Sequence, residues 1–340
     1  MFDKILKIKK GYSLHHAFKP SFGMRNRHIQ TIYQTFFRKT QNLQFQIEKF
    51  DLSDGDFLES YWHNTPQTQT NTPIAIIFHG LAGSYKSPYV KGIMSTLAKA
   101  GYNTVLMHFR GCATNVNLLP RSYHSGETAD ALEFIQALKR RFPHSKLLGV
   151  GFSLGGNMLL KLLGELQETS PLSAAVSISP PMQLDICADA INKGVSKIYQ
   201  RRLVNDLNKA LMKKYAINDM KSLIGIEKED IKKLKTFWEF DAIYTAPIHG
   251  FDSAQDYYTQ CSSRQFLKDI HTQTLIIHSH DDPFMHKDIF PSKEELSKSV
   301  TLEVSKYGGH VGFIEGSFLK PKYWIEKRVV DFFSEVLDSE

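Results

Sequence analysis

One short stretch constrains this chain more than any other. The apolar run Lys146-Leu147-Leu148-Gly149-Val150 turns through Gly151-Phe152-Ser153-Leu154-Gly155-Gly156 into the helix-forming Asn157-Met158-Leu159-Leu160. A strand that feeds a helix through so tight a turn belongs to a parallel sheet. Glycines on both sides let the backbone bend sharply and keep side chains away from the serine at the apex. That serine has its hydroxyl held out of the sheet, beside the N–H groups that open the following helix. The setting predicts a nucleophile, provided that a histidine and an acid lie downstream at strand ends.

Both are found. Thr274-Leu275-Ile276-Ile277-His278 reads as a buried strand running into Ser279-His280-Asp281-Asp282-Pro283, and Val304-Ser305-Lys306-Tyr307 leads into Gly308-Gly309-His310-Val311-Gly312. Proline holds the residue before it extended, which selects Asp282 as the acid and leaves Asp281 as a surface or turn residue. The order Ser153, Asp282, His310 is that of α/β-hydrolases, not of the chymotrypsin or subtilisin arrangements. A further apolar run, Ile74-Ala75-Ile76-Ile77-Phe78, ends in His79-Gly80-Leu81-Ala82-Gly83. In such a fold the loop after this strand donates one N–H of an oxyanion hole and the residue after the nucleophile donates the other, so Leu81 and Leu154 are assigned to it. His278 and His280 alternate on one strand face with Asp281 nearby, but the histidine that a metallohydrolase needs directly after its aspartate is missing before Pro283. Neither a metal nor a cofactor is expected. His79 reads as a loop anchor, and Arg110 and His124 as loop-ordering residues.

These motifs, together with Phe18-Lys19-Pro20, Asn26-Arg27-His28-Ile29-Gln30-Thr31, Met107-His108-Phe109-Arg110-Gly111-Cys112 and Tyr123-His124-Ser125-Gly126-Glu127-Thr128, resemble the YheT-type α/β-hydrolases. The likeness runs from about residue 18 to the C-terminus. It implies a serine carboxylesterase-like enzyme acting on short-chain or lipid esters through an acyl-enzyme. Alternatives on the same triad are a thioesterase, an amidase or aminopeptidase, or an acyltransferase. A non-catalytic binding protein of this fold would ordinarily have lost a triad member, and none is lost here.

Composition narrows the class further. A chain of 340 residues with 42% hydrophobic content has room for one large domain with an insertion. Cys112, Cys187 and Cys261 form neither a disulfide framework nor a metal-ligand spacing, so a reducing, cytoplasmic setting is expected. No run approaches the ~18 apolar residues of a spanning helix, and no secretory leader is recognisable. The net charge of +7 is modest and reads as solvated helix faces, so no nucleic-acid partner is expected. The segment Phe2–Lys10 mixes apolar and basic residues and could give weak peripheral membrane contact.

Three regions follow: an arm over residues 1–40 with a helix over Arg27–Arg38, a core over 41–179 and 266–340, and a helical cap inserted over 180–265. Strands are predicted over Leu43–Leu52 and Phe57–His63, joined as a hairpin at Ser53-Asp54-Gly55-Asp56, then at Ile74–Phe78, Asn103–Phe109, Lys146–Gly151 and Ala174–Ser179. Helices are expected through Pro88–Ala100, from a Ser125 cap to Arg141 with Glu127 in its first turn, to Glu165, and over Tyr323–Leu337. Strands alternating with helices mean a mostly parallel sheet with helices on both faces. That alternation stops between Ser179 and Thr274, in a stretch too long for a bare loop. Its aromatic residues (Phe237, Trp238, Phe240, Tyr244, Phe251, Tyr257, Tyr258) read chiefly as cap core.

Overall fold

A computed structural model describes residues 18–39, 42–66 and 71–339. The segment Phe2–Lys10 lies outside the described residues. Eight strands form the main sheet: β1 (Gln46–Asp51), β2 (Phe57–His63), β3 (Ile74–Phe78), β4 (Asn103–Met107), β5 (Leu147–Phe152), β6 (Leu172–Ile178), β7 (Gln273–Ser279) and β8 (Val300–Ser305). Their order across the sheet is β1-β2-β4-β3-β5-β6-β7-β8. β1, β2 and β4 pair antiparallel, and every pairing from β4 to β8 is parallel. The expected hairpin forms at Gly55, where Leu52 donates to Asp56 O at 2.8 Å.

β3 explains the layering. A strand turns successive side chains to opposite faces, and here both sets are apolar. Ile74, Ile76 and Phe78 pack with α3 (Ala129–Arg141) and α4 (Leu154–Leu166). Ala75 and Ile77 pack with α2 (Pro88–Lys99) and the closing helix Trp324–Leu337 on the other face. Between β6 and β7 the chain forms α5 (Leu184–Ile191), α6 (Ser196–Lys214), four short α-helices ending at Cys261, and 3-10 helices over Lys228–Lys233 and Ser263–Asp269, with no strand among them. Residues 241–245 of this stretch form a π-helical turn.

Two boundaries depart from expectation. α3 begins at Ala129, not behind Ser125. The stretch before it is committed to tertiary contacts: Ser125 N–H donates to Tyr257 Oη at 3.0 Å, and Asn157 donates to Ser125 O at 2.9 Å. Glu127 therefore pairs with Arg121 at 2.6 Å, and Asp130 is the acid of the first helical turn. β1 is also shorter than Leu43–Leu52, pairing with β2 only over Gln46–Asp51.

α1 (Arg27–Phe37) forms where the arm was expected to be helical. Asn26 caps it, accepting from His28 and Ile29 N–H at 2.9 and 3.1 Å. It lies against the loop that follows β8.

Candidate active site

Ser153 sits where β5 ends and α4 begins, with φ +49° and ψ −115°. A non-glycine residue held there stores about 1–3 kcal/mol of strain, which persists only where the surroundings over-determine it. They do so here. Ser153 N–H donates to Ile178 O on β6 at 2.8 Å, and its own carbonyl accepts from Asn157 N–H at 3.0 Å. The flanking glycines are required by backbone approach. A Cβ on Gly155 would stand 2.5 Å from both Phe78 O and His79 O, and one on Gly151 would stand 2.5 Å from Gly155 O.

His310 arrives from a loop beyond β8. Its Nδ1 lies 2.8 Å from Asp282 Oδ2, and its Nε2 lies 2.9 Å from Ser153 Oγ. A buried carboxylate only accepts, so Nδ1 carries the proton of the neutral ring and Nε2 is free to accept from the serine hydroxyl. Asp282 is buried at the end of β7, and its other oxygen accepts from Phe284 N–H at 2.8 Å. The Phe284 ring stacks on the imidazole with centroids 4.1 Å apart.

Asp281 has a separate task. Its carboxylate accepts from Gly309 N–H at 2.9 Å, and burial raises its pKa. The neighbouring acids thus divide the histidine between them, Asp282 orienting the ring and Asp281 the loop. Three further residues fix that loop. Thr31 Oγ1 on α1 accepts from His310 N–H at 3.0 Å, Ser179 Oγ accepts from Val311 N–H at 3.2 Å, and Ser279 Oγ donates to Gly309 O at 2.9 Å. Gly309 adopts φ +57°, and a Cβ there would meet Arg27 O at 2.5 Å.

The loop after β3 is ordered by the hydroxyls of two partly buried tyrosines. Tyr89 Oη accepts from Gly80 N–H and Tyr123 Oη from Ala82 N–H, each at 2.9 Å. Between them the Leu81 N–H has no protein acceptor among the described residues. Leu154 is the first residue of α4, where an N–H finds no partner inside the helix. Both residues line the cavity onto which Ser153 and His310 open. The positive end of α4 adds to any pull on negative charge there.

His79 is the expected anchor. Its Nε2 accepts from Phe109 N–H at 3.2 Å and its Nδ1 faces Gly80 O at 2.7 Å. Burial, with His108 beside it, pushes its pKa down to about 3, so it remains neutral. Arg110 likewise orders its loop, gripping Asp130 through two 2.6 Å bonds and Asp56 at 3.0 Å. His124, Glu127 and His249 present ligand atoms within 4.8 Å of one another. Two of the three are already engaged: Arg121 holds Glu127 and Gly126 N–H donates to His124 Nδ1 at 3.2 Å, while the His249 ring nitrogens face Thr245 O and Ser122 O. His278 and His280 both pack edge-on against Phe290.

The cavity measures about 520 Å³. One wall is the core, with Leu81, Ser153 and His310; the other comes from residues 184–258, with Leu184, Ile191, Phe237 and Tyr258. Several aromatic residues read as cap core therefore face the cavity. Asp241 also lines it, and burial raises its carboxyl to about 6. The sequence reading missed three contributors: Thr31, Phe284 and Asp281. Thr31 lies in the Asn26–Thr31 motif and Asp281 and Phe284 flank Asp282-Pro283, but only their contacts reveal what they hold.

Comparison with known proteins identifies the family and the fold. A family model described as the alpha/beta hydrolase fold matches residues 73–317. YheT of Escherichia coli (strain K12), an esterase by name, is 40% identical over 323 residues, covering 95% of this chain and 94% of that one. A bovine protein named phospholipase ABHD3 is 25% identical over 315 residues, covering 91% of this chain and 76% of its own. The crystal structure of a Pyrococcus furiosus esterase shares the fold, with a TM-score of 0.54 at 16% identity over 88% of this chain and 97% of that chain. No helix among the described residues is long and apolar enough to cross a membrane. The chain belongs to the α/β-hydrolase family, in the branch of the esterase-like YheT proteins.

Proposed function

We propose that the protein is a serine hydrolase that cleaves a carboxylic ester bearing an apolar acyl chain. The observation that carries this reading is the hydrogen-bonded line Ser153–His310–Asp282 at the wall of a largely apolar cavity. His310 Nε2 takes the Ser153 proton as Oγ attacks the ester carbonyl. Asp282 holds the ring tautomer and stabilises its cation. The Leu81 and Leu154 N–H groups stabilise the tetrahedral oxyanion, a contribution worth roughly a hundred- to a thousand-fold per donor. His310 then protonates the departing alcohol. Water repeats the attack on the acyl-enzyme, restoring Ser153 and releasing the acid.

Residues 180–265 act in this reading as a cap over the site, set into a core of 41–179 and 266–340. The apolar side chains they turn toward Ser153 support acyl substrates over charged peptides, since burying an unpaired charge there is costly. A reducing, cytoplasmic setting is part of the proposal and is supported by the free thiols of Cys112, Cys187 and Cys261. So is peripheral contact of the segment Phe2–Lys10 with membrane.

A fluorophosphonate probe and an ester series from acetyl to long acyl, run beside matched thioesters and anilides, tests the reading. We expect labelling at Ser153 and fastest turnover of esters. Absence of labelling, or faster cleavage of thioesters or anilides, would overturn it.

A further inference from the structure

Where the arm meets the core, the protein exposes apolar side chains that the site does not use. Strands β9 (Ile314–Gly316) and β10 (Pro321–Tyr323) form a small hairpin with Ser317-Phe318-Leu319-Lys320 at its tip. Leu319 is 87% exposed. This exposure is built in, because Ser317 and Lys320 exchange two 3.2 Å backbone hydrogen bonds that fix the turn. Phe318 and Phe37 meet with ring centroids 5.0 Å apart, and Tyr33 packs on both rings while donating its hydroxyl to Phe318 O. Phe36 is 64% exposed, and Phe22 is 86% exposed in a turn tied to the hairpin by Ser21 Oγ and Gly316 O.

Single exposed apolar residues are ordinary, but a contiguous group marks a contact surface. Three features identify what it contacts. All four tip residues are exposed, as suits entry into a soft layer. Exposed Lys39, Lys320 and Lys322 stand beside it, whereas the neighbouring Arg38 is already paired with Glu326 at 2.5 Å. The group also adjoins the cavity: Ile32 and Thr35 line it, and Phe36 follows Ile32 by one helical turn on the same face of α1.

We infer that the hairpin tip and the C-terminal end of α1 dock the protein on an anionic lipid surface, with the cavity mouth facing that surface. Leu319, Phe36 and Phe37 enter the headgroup boundary, and the lysines meet anionic headgroups. This deepens the ester-hydrolase reading by naming the source of its substrate, and its binding arm does not depend on catalysis.

The test is co-sedimentation with vesicles of phosphatidylglycerol and phosphatidylethanolamine, and with vesicles of phosphatidylcholine alone, using the full chain carrying Ser153→Ala. We expect binding to the anionic vesicles that weakens with salt. The double variant Phe36→Ser/Leu319→Ser should weaken it at least about tenfold, and Lys320→Glu/Lys322→Glu should remove the preference for anionic lipid. With Ser153 restored, Phe36→Ser/Leu319→Ser should hydrolyse a soluble short-chain ester within about twofold of the parent while losing about tenfold on the same acyl ester carried in vesicles. Absence of vesicle binding, or binding unchanged by these variants, would overturn the inference. So would binding that survives them and is lost only when residues 1–17 are removed. Sedimentation showing a dimer that Phe36→Ser/Leu319→Ser dissociates, without an effect on vesicles, would reassign the surface to a second copy. Loss of all ester hydrolysis with vesicle binding intact would instead count against the hydrolase reading alone.

Discussion

The Ser153 turn and the His310 loop meet at one hydrogen bond, yet they are built on opposite principles. The serine turn is nearly self-contained. Its glycines lie at 151, 155 and 156, and they let one strand, one helix and the adjoining β3 end close on one another. The histidine loop has no such local determinism. Its conformation is imposed by Thr31 from α1, Ser179 beyond β6, and Ser279 and Asp281 beside β7. The attacking group is thus held by its own turn and the adjoining strand ends of β3 and β6, and the base by residues up to 279 positions away. Removal of the attacking group should destroy chemistry outright, whereas damage to the supports of the base should misplace a correctly folded group by degrees.

The strongest test of this contrast removes the nucleophile. Ser153→Ala is expected to lower kcat by on the order of 10⁴- to 10⁶-fold and to abolish fluorophosphonate labelling, with an unchanged thermal transition. Near-parental turnover in the purified variant would end the assignment. Asp282→Asn should follow, costing on the order of 10³- to 10⁴-fold in kcat because the ring loses the acceptor that fixes its tautomer. Asp281→Asn disturbs the support of the loop through Gly309 N–H and not the ring, and should cost about tenfold; the reverse ranking would exchange the roles of the two acids.

Thr31→Val sharpens the comparison most directly. It leaves His310 N–H without its acceptor, a change worth about 1–3 kcal/mol when the donor is buried. We expect a fall of about tenfold in kcat with little change in KM, and recovery in Thr31→Ser. An equal loss in the serine variant would mean that bulk rather than the hydroxyl matters. Smallest in chemistry but plainest in stability is Gly155→Ala. Its methyl would press on two carbonyl oxygens, and overpacking of this kind costs about 1–3 kcal/mol. Urea unfolding should show that loss, and an unchanged midpoint would mean that the turn is less tightly packed than the backbone approach indicates.

What could be read in advance follows the same division. The serine turn is legible because the glycines that permit it lie within six consecutive residues. The strands around it were legible because a strand buried on both faces must be apolar throughout, as Ile74–Phe78 is. The start of α3 is not legible in the same way, because Ser125 and Glu127 form a plausible local start signal. Tyr257, Asn157 and Arg121 compete for those same groups from elsewhere in the chain. The role of Asp281 is not legible, because proline geometry distinguishes the two acids but says nothing about a glycine amide 28 positions on.

By itself, then, the sequence determined the βα alternation, the strained turn at Ser153, and the order of serine, acid and histidine. Each depends on backbone sterics or on a hydrophobic period within a few residues. Only the tertiary structure decided that the Asn26–Thr31 motif buttresses the histidine loop, that Phe284 stacks on the imidazole, and that side chains expected chiefly in the cap interior face the cavity. Those outcomes rest on hydrogen bonds and packing between segments far apart in the chain. Short-range preferences cannot encode them, because the partner enters reach only after the sheet has assembled.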